Sequence, residues 1–208
     1  MTPQERRAEI VDATARVMVQ RGIAATTVRD VAAEMGTSSG LIHHYFESMD
    51  DLLAEAFAQV ATRDLTSSVE AIDSAADPVA RLGIFFATYN RADEQWSMQI
   101  WLDAWAEAAR RPALQRTSRR LNQQWQRLVV GLITDGVTAG AMTCADADTL
   151  AWQIVSLLDG LALQSVAHAD LVTLEDANTW AREYAESQLG LPTGALMARQ
   201  ASAVTAAR

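Results

Sequence analysis

The 208-residue chain has no lysine, one cysteine, four prolines and ten glycines. A single cysteine, Cys144, excludes an internal disulfide and suits a reducing cytoplasm. Few prolines and glycines, with half the residues apolar, argue against a disordered chain. Alternating β-branched stretches are almost absent, while Ala, Leu, Gln, Glu and Arg recur throughout, which predicts an all-α fold. No apolar run is expected to reach the length of a membrane span. The opening MTPQERRAEI is charged and lacks the apolar core of a secretory signal. The three histidines, His43, His44 and His168, offer no metal-ligand spacing. A P-loop, a Gly-rich dinucleotide turn and a G-x-S-x-G elbow are also missing. The expectation is a cytoplasmic protein that is not an enzyme, needs no metal or cofactor and has no membrane partner.

Basic charge is scarce too. The net charge is −9, and all 17 basic residues are arginine. Residues 1–47 hold five arginines against six acids, a net of −1, so the acidic excess lies in the longer remainder. The N-terminal segment is near neutral rather than a basic patch.

What is present centres on residues 26–53. Val28, Val31, Ala32 and Met35 recur at helix spacing, with Thr27 as N-cap and Gly36 as the stop. Thr37 or Ser38 then caps a second short helix, about 38–45. Two helices joined by a Gly-bearing turn make a helix-turn-helix pattern. At 100° per residue, Leu41, Ile42, Tyr45 and Phe46 fall on one side of the second helix. Gly40, His43 and His44 fall opposite, with Ser39 on the flank. That polar side can approach a groove; the plainer alternative is a capped surface helix with two solvated histidines.

In chain order, Thr2-Pro3 opens a first helix ending at Gly22, with Arg6 and Arg7 at its start, either near a phosphate or simply solvated. Ser48 opens a long helix with Asp50 and Asp51 in its first turn. Further helices are expected at about 78–90, 94–109, 111–138, 146–168 and 173–189, with a break at 91–94. That gives about nine helices, divided into a head (1–47), a larger domain (48–190) and a flexible tail (191–208). Asp103 and Glu107, four apart on one helix, can be read as an acid–base pair or as a solvated face. Residues 148–167 are apolar almost all round and must be buried on both sides. This predicts a homodimer through this helix and the last one, using Ile154, Leu158, Leu161, Val166, Trp180 and Tyr184. The alternative is a central core helix in a monomer.

The run Gly22, Thr26-Thr27-Val28, Asp30-Val31-Ala32, Met35-Gly36, Ser38, Gly40, Tyr45-Phe46, Ser48 and Asp50-Asp51-Leu52 resembles the TetR family of bacterial transcription regulators. The order Gly40-Leu41-Ile42-His43-His44-Tyr45-Phe46 is most similar to the subgroup that includes the choline–betaine regulator. The resemblance implies a homodimer that sets two helix-turn-helix heads on a palindromic double-stranded DNA operator. It also implies a C-terminal ligand-binding and dimerisation domain whose small-molecule inducer releases the operator. The DNA contacts it implies are Thr27, Arg29, Thr37, Ser38, Ser39, Gly40, His43, His44, Tyr45 and Ser48. Its ligand lining would be Phe86, Tyr89, Met98, Trp101, Trp105, Trp125 and Trp152, although large aromatics at helix spacing are also ordinary core. Such a lining suits an aromatic or apolar inducer, and acids nearby would suit a cationic one. Two departures stand out. Met49 replaces the usual Lys after Ser48, removing a phosphate contact and one unit of salt dependence per head. His43 stands where many members have Tyr. Near-neutral charge and Met49 also fit an all-α ligand-binding or interaction module that has lost strong DNA binding.

Overall fold

The structure, a computed structural model, describes residues 1–89 and 95–197. Among them nine long or short helices follow in order, a further helical stretch begins at Ala195, and no strand occurs. The nine are α1 Pro3–Arg21, α2 Val28–Glu34, α3 Ser39–Tyr45, α4 Met49–Asp73, α5 Pro78–Tyr89, α6 Gln95–Ala108, α7 Pro112–Thr138, α8 Ala147–Ala167 and α9 Leu174–Leu189. The expected break at 91–94 lies outside the described residues.

Local chemistry sets many of these ends. Thr2 and Glu5, Thr27 and Asp30, and Thr173 and Asp176 each form a reciprocal capping box. Asp146 accepts from the Thr149 amide at 3.0 Å to start α8. Each such cap contributes about 1 kcal/mol. Gly22 (φ 80°) and Gly190 (φ 67°) close α1 and α9 in conformations that side chains disfavour.

The helices pack as two units. Residues 1–64 and 96–122 form one, and the described residues of 65–95 and 123–208 form the other. In the first, Ile10, Val17 and Met18 of α1 are buried, as are Ile23, Val31, Ile42, Phe46, Leu52, Leu53 and Phe57. Each side chain of this size buried from water contributes about 1.5–3 kcal/mol before entropy is counted. In the second, Leu82, Phe85 and Phe86 of α5, Val129 and Ile133 of α7, and Ile154, Val155 and Leu158 of α8 are buried.

Two expectations need correction. Residues 191–197 are tied back to the second unit at particular points, while Pro192, Thr193 and Met197 are exposed. The Glu186 carboxylate accepts the amides of Gly194 and Leu196 at 2.8 and 2.9 Å. Leu196 is fully buried, and its carbonyl lies so near Gly83 that a Cβ there would come within 2.7 Å of it. The rest of the expected tail, 198–208, lies outside the described residues. The second correction concerns α8, which is long and apolar enough to cross a membrane by length and composition. Its apolar residues divide between two faces: Ile154, Val155 and Leu158 are buried, while Trp152, Leu163 and Val166 are exposed.

Candidate functional site

The first unit presents the helix-turn-helix. Ile42 anchors α3 inward and is 1% exposed. Ser38, Gly40, His43, His44 and Ser48 are exposed, as are Thr27 and Arg29 at the start of α2. Thr37, Ser39 and Tyr45 are part-exposed. Ser38 is the N-cap of α3 by backbone conformation, but its hydroxyl makes no capping bond, so it is available to an outside partner. The Thr27 and Ser48 hydroxyls instead donate to Asp30 and Asp51, both at 2.6 Å, and hold the starts of α2 and α4.

The head's arginines are mostly engaged. Arg6 pairs with Glu9 (2.6 Å), Arg16 with Glu34 (2.7 Å) and Arg21 with Asp30 (2.7 Å). Arg7 does more. Its guanidinium grips the Glu55 carboxylate with two nitrogens, donates to the Tyr45 carbonyl at 2.7 Å and lies 4.0 Å over the Phe46 ring. It therefore ties the end of α3 to α1 and α4 rather than standing free at the surface. Among the described residues of the head, Arg29 is the arginine left exposed without an ion pair.

The expected ligand lining falls into three places. Phe86, Tyr89 and Trp125 belong to the second unit. There Tyr89 meets Trp125 edge-on at 5.0 Å, and Phe85 lies 5.3 Å from Tyr89 and 6.3 Å from Trp125. Met98, Trp101 and Trp105 belong to the first unit, where Trp101 lies 4.9 Å from Phe57 and 5.6 Å from Trp105. The Trp105 indole N–H is buried with no acceptor. Trp152 joins neither group and is 45% exposed on α8. Trp180 of α9 is 46% exposed, and Leu163 and Val166 are exposed too. Of the residues expected at a dimer interface, Ile154 and Leu158 are buried within the chain, and Leu161 and Tyr184 are part-exposed. The Tyr184 hydroxyl is hydrogen-bonded at 2.9 Å to Gln153.

Asp159 is the residue the sequence did not flag. It sits among the apolar side chains of α8, and its carboxylate accepts from the Tyr89 hydroxyl at 2.6 Å. Burial pushes the carboxyl up to about 6, although the tyrosine bond works against that rise. Burial and the adjacent carboxylate push the Tyr89 hydroxyl well above its ordinary value. No cation among the described residues pairs with Asp159. The Asp159 carboxylate is thus held by Tyr89, whose ring in turn packs on Phe85 and Trp125.

Two families match the chain. One, described as "Bacterial regulatory proteins, tetR family", matches residues 10–56, and "BetI-type transcriptional repressor, C-terminal" matches residues 78–190. The chain belongs to the TetR family. It is similar to the HTH-type transcriptional regulator BetI of Paraburkholderia xenovorans, with 33% identity over 86% of this chain and 91% of the relative. Among solved structures it resembles a TetR regulator from Haloarcula marismortui (TM-score 0.80, 26% identity, 89% of this chain and 99% of that one). It also resembles a transcriptional regulator from Saccharomonospora viridis solved in complex with choline (TM-score 0.79, 25% identity, 89% and 98%).

Membership makes this chain a ligand-responsive DNA-binding repressor of the choline–betaine subgroup, not an enzyme. Asp103 accepts from a backbone amide and Glu107 binds Arg111, so the two carboxylates face different partners.

Proposed function

We propose that this regulator is a cytoplasmic homodimer that leaves a palindromic operator when a small organic cation of the choline class binds beside Asp159. The observation that carries the ligand class is the Asp159 carboxylate, hydrogen-bonded to Tyr89 in an aromatic setting with no cation of its own. A quaternary ammonium would offset that charge and meet the ring faces, a contact that contributes about 2 kcal/mol when desolvated. The choline bound to the Saccharomonospora relative supports the same chemistry. Phe86 and Trp125 line the cation's apolar side in this proposal. Met98, Trp101 and Trp105 belong to the first unit and are not part of this proposed site.

The exposed apolar side chains Trp152, Leu163, Val166 and Trp180 support pairing through α8 and α9. An apolar face of this kind on a helix already buried on its other side needs a partner. At Gly160 an added Cβ would meet open space, so a second helix has room to approach.

On the DNA side, Ser38, Ser39, Gly40, His43 and His44 read base edges, while Thr37, Tyr45, Arg29, Thr27 and the α4 start at Ser48 meet phosphates. The test is selection of bound fragments from random genomic DNA, then footprinting of wild-type protein and of Ser39→Ala and His44→Ala. A protected palindrome is expected, with specific binding weakened about tenfold by each substitution and nonspecific binding nearly unchanged. Equal losses in both would remove α3 from the reading role.

A further inference from the structure

Asp103 of α6 and Arg111, which Glu107 of α6 holds, reach the two ends of the helix-turn-helix. Asp103 Oδ2 accepts the Ile23 amide at 3.2 Å, in the connection between α1 and α2, and its Oδ1 accepts from Gln99 at 3.1 Å. The approach is close: with Gly22 at φ 80°, an added Cβ there would sit 2.8 Å from Asp103 Oδ2. The same connection is held by the Thr26 hydroxyl donating to the Gly22 carbonyl at 2.8 Å. Ile23 itself is fully buried in the head's core, so a pull on its amide is felt by α2. One turn along α6, Glu107 accepts from Arg111 at 3.1 Å. Arg111 in turn donates to Asp50 at 2.6 Å, in the first turn of α4 and just past α3.

We infer that Asp103 and Arg111 are positioning residues for operator binding. They fasten the entry and the exit of the helix-turn-helix to α6 and so fix the pose in which α3 meets DNA. Neither lies on the reading surface. The inference rests on the reading role of α3 proposed above. An amide oxygen at position 103 can accept the Ile23 N–H as a carboxylate oxygen does, because the donor is a neutral backbone N–H. Arg111 bridges two carboxylates with different nitrogens, which a lysine does less well.

The test uses the full chain and its selected operator, with fluorescence anisotropy for affinity and hydrogen exchange for the Ile23 amide. Asp103→Leu should weaken specific binding about tenfold or more and speed exchange at Ile23, while Asp103→Asn should return both to near wild type. Arg111→Met should weaken specific binding similarly, with Arg111→Lys recovering part of the loss. Nonspecific binding should change little in all four. Wild-type operator affinity in both Asp103→Leu and Arg111→Met would overturn the inference. If Asp103→Leu does not fold, the Arg111 pair decides: recovery by lysine over methionine supports the inference, and no difference overturns it. Loss of binding in these variants with none in Ser39→Ala or His44→Ala would instead fault the reading helix and leave the tethers standing.

Discussion

The head's arginines and Asp159 of the second unit stand in opposite charge environments, although Arg81 of the second unit also pairs with Asp73 and Asp135 at the surface. In the head, Arg6, Arg7, Arg16 and Arg21 each hold an acid at the surface. In the second unit, Asp159 pairs with no cation among the described residues and is shielded enough that its carboxyl rises to about 6. Exposed pairs contribute little stability, about 0–1 kcal/mol each, and mostly fix orientation. A shielded carboxylate without a counter-ion is costly, and a fold keeps one where a ligand relieves it. The contrast separates residues that hold the head in shape from the residue proposed to meet the ligand.

Asp159→Asn should break the contrast most. The choline concentration for half-release of operator should rise about 30-fold, which corresponds to ~2 kcal/mol of lost cation binding. Without ligand the variant should be more stable than wild type at pH 7.5, by about 3 kcal/mol. The sign follows from a folded value of about 6 above the ordinary 3.8. The cost of the charge is fully present above pH 6 and disappears as pH falls from there towards 3.8. Denaturant unfolding at pH 7.5 and 4.5 should therefore show the variant's advantage shrinking in acid, and choline binding by wild type should weaken over the same interval. An advantage that does not change with pH would contradict a shielded charge.

Arg7→Ala comes next. It loses the Glu55 grip, the Tyr45 carbonyl bond and the contact with Phe46. Discounted for surface exposure, a destabilisation of about 2 kcal/mol and a Tm lowered by several degrees are expected. Arg7→Lys should recover only part, since one ammonium cannot make the two-point grip.

The smallest effects sharpen the picture of the head as a weak phosphate binder. Arg29→Ala should leave stability within about 0.5 kcal/mol and lower the salt slope of operator binding by about 0.9 per protomer. Met49→Lys should raise that slope by a similar amount. Titration of operator affinity against salt reads both.

Helix positions were legible from the sequence because their signals are local: Thr27 with Asp30, Thr173 with Asp176, and glycines at 22 and 190 mark ends within a few residues. The polar side of α3 was legible for the same reason. Asp159 was not. A lone acid in an apolar helix has no local pattern, and its partner Tyr89 lies 70 positions away. Arg7 gave no signal either, since its three partners lie 38 or more positions along the chain. Trp152 carried the same helix spacing as Trp101 and Trp105, and only packing separates an exposed face from a buried one. Leu196 is buried only because Gly83 leaves room for its backbone, a match no single stretch reveals.

The most direct measurement is fluorescence anisotropy of the labelled palindromic operator, bound to wild-type protein at pH 7.5 and titrated with choline, with its uncharged carbon isostere as control. The account predicts complete release by choline and little by the isostere. Operator still bound at saturating choline, or equal release by the isostere, would contradict it.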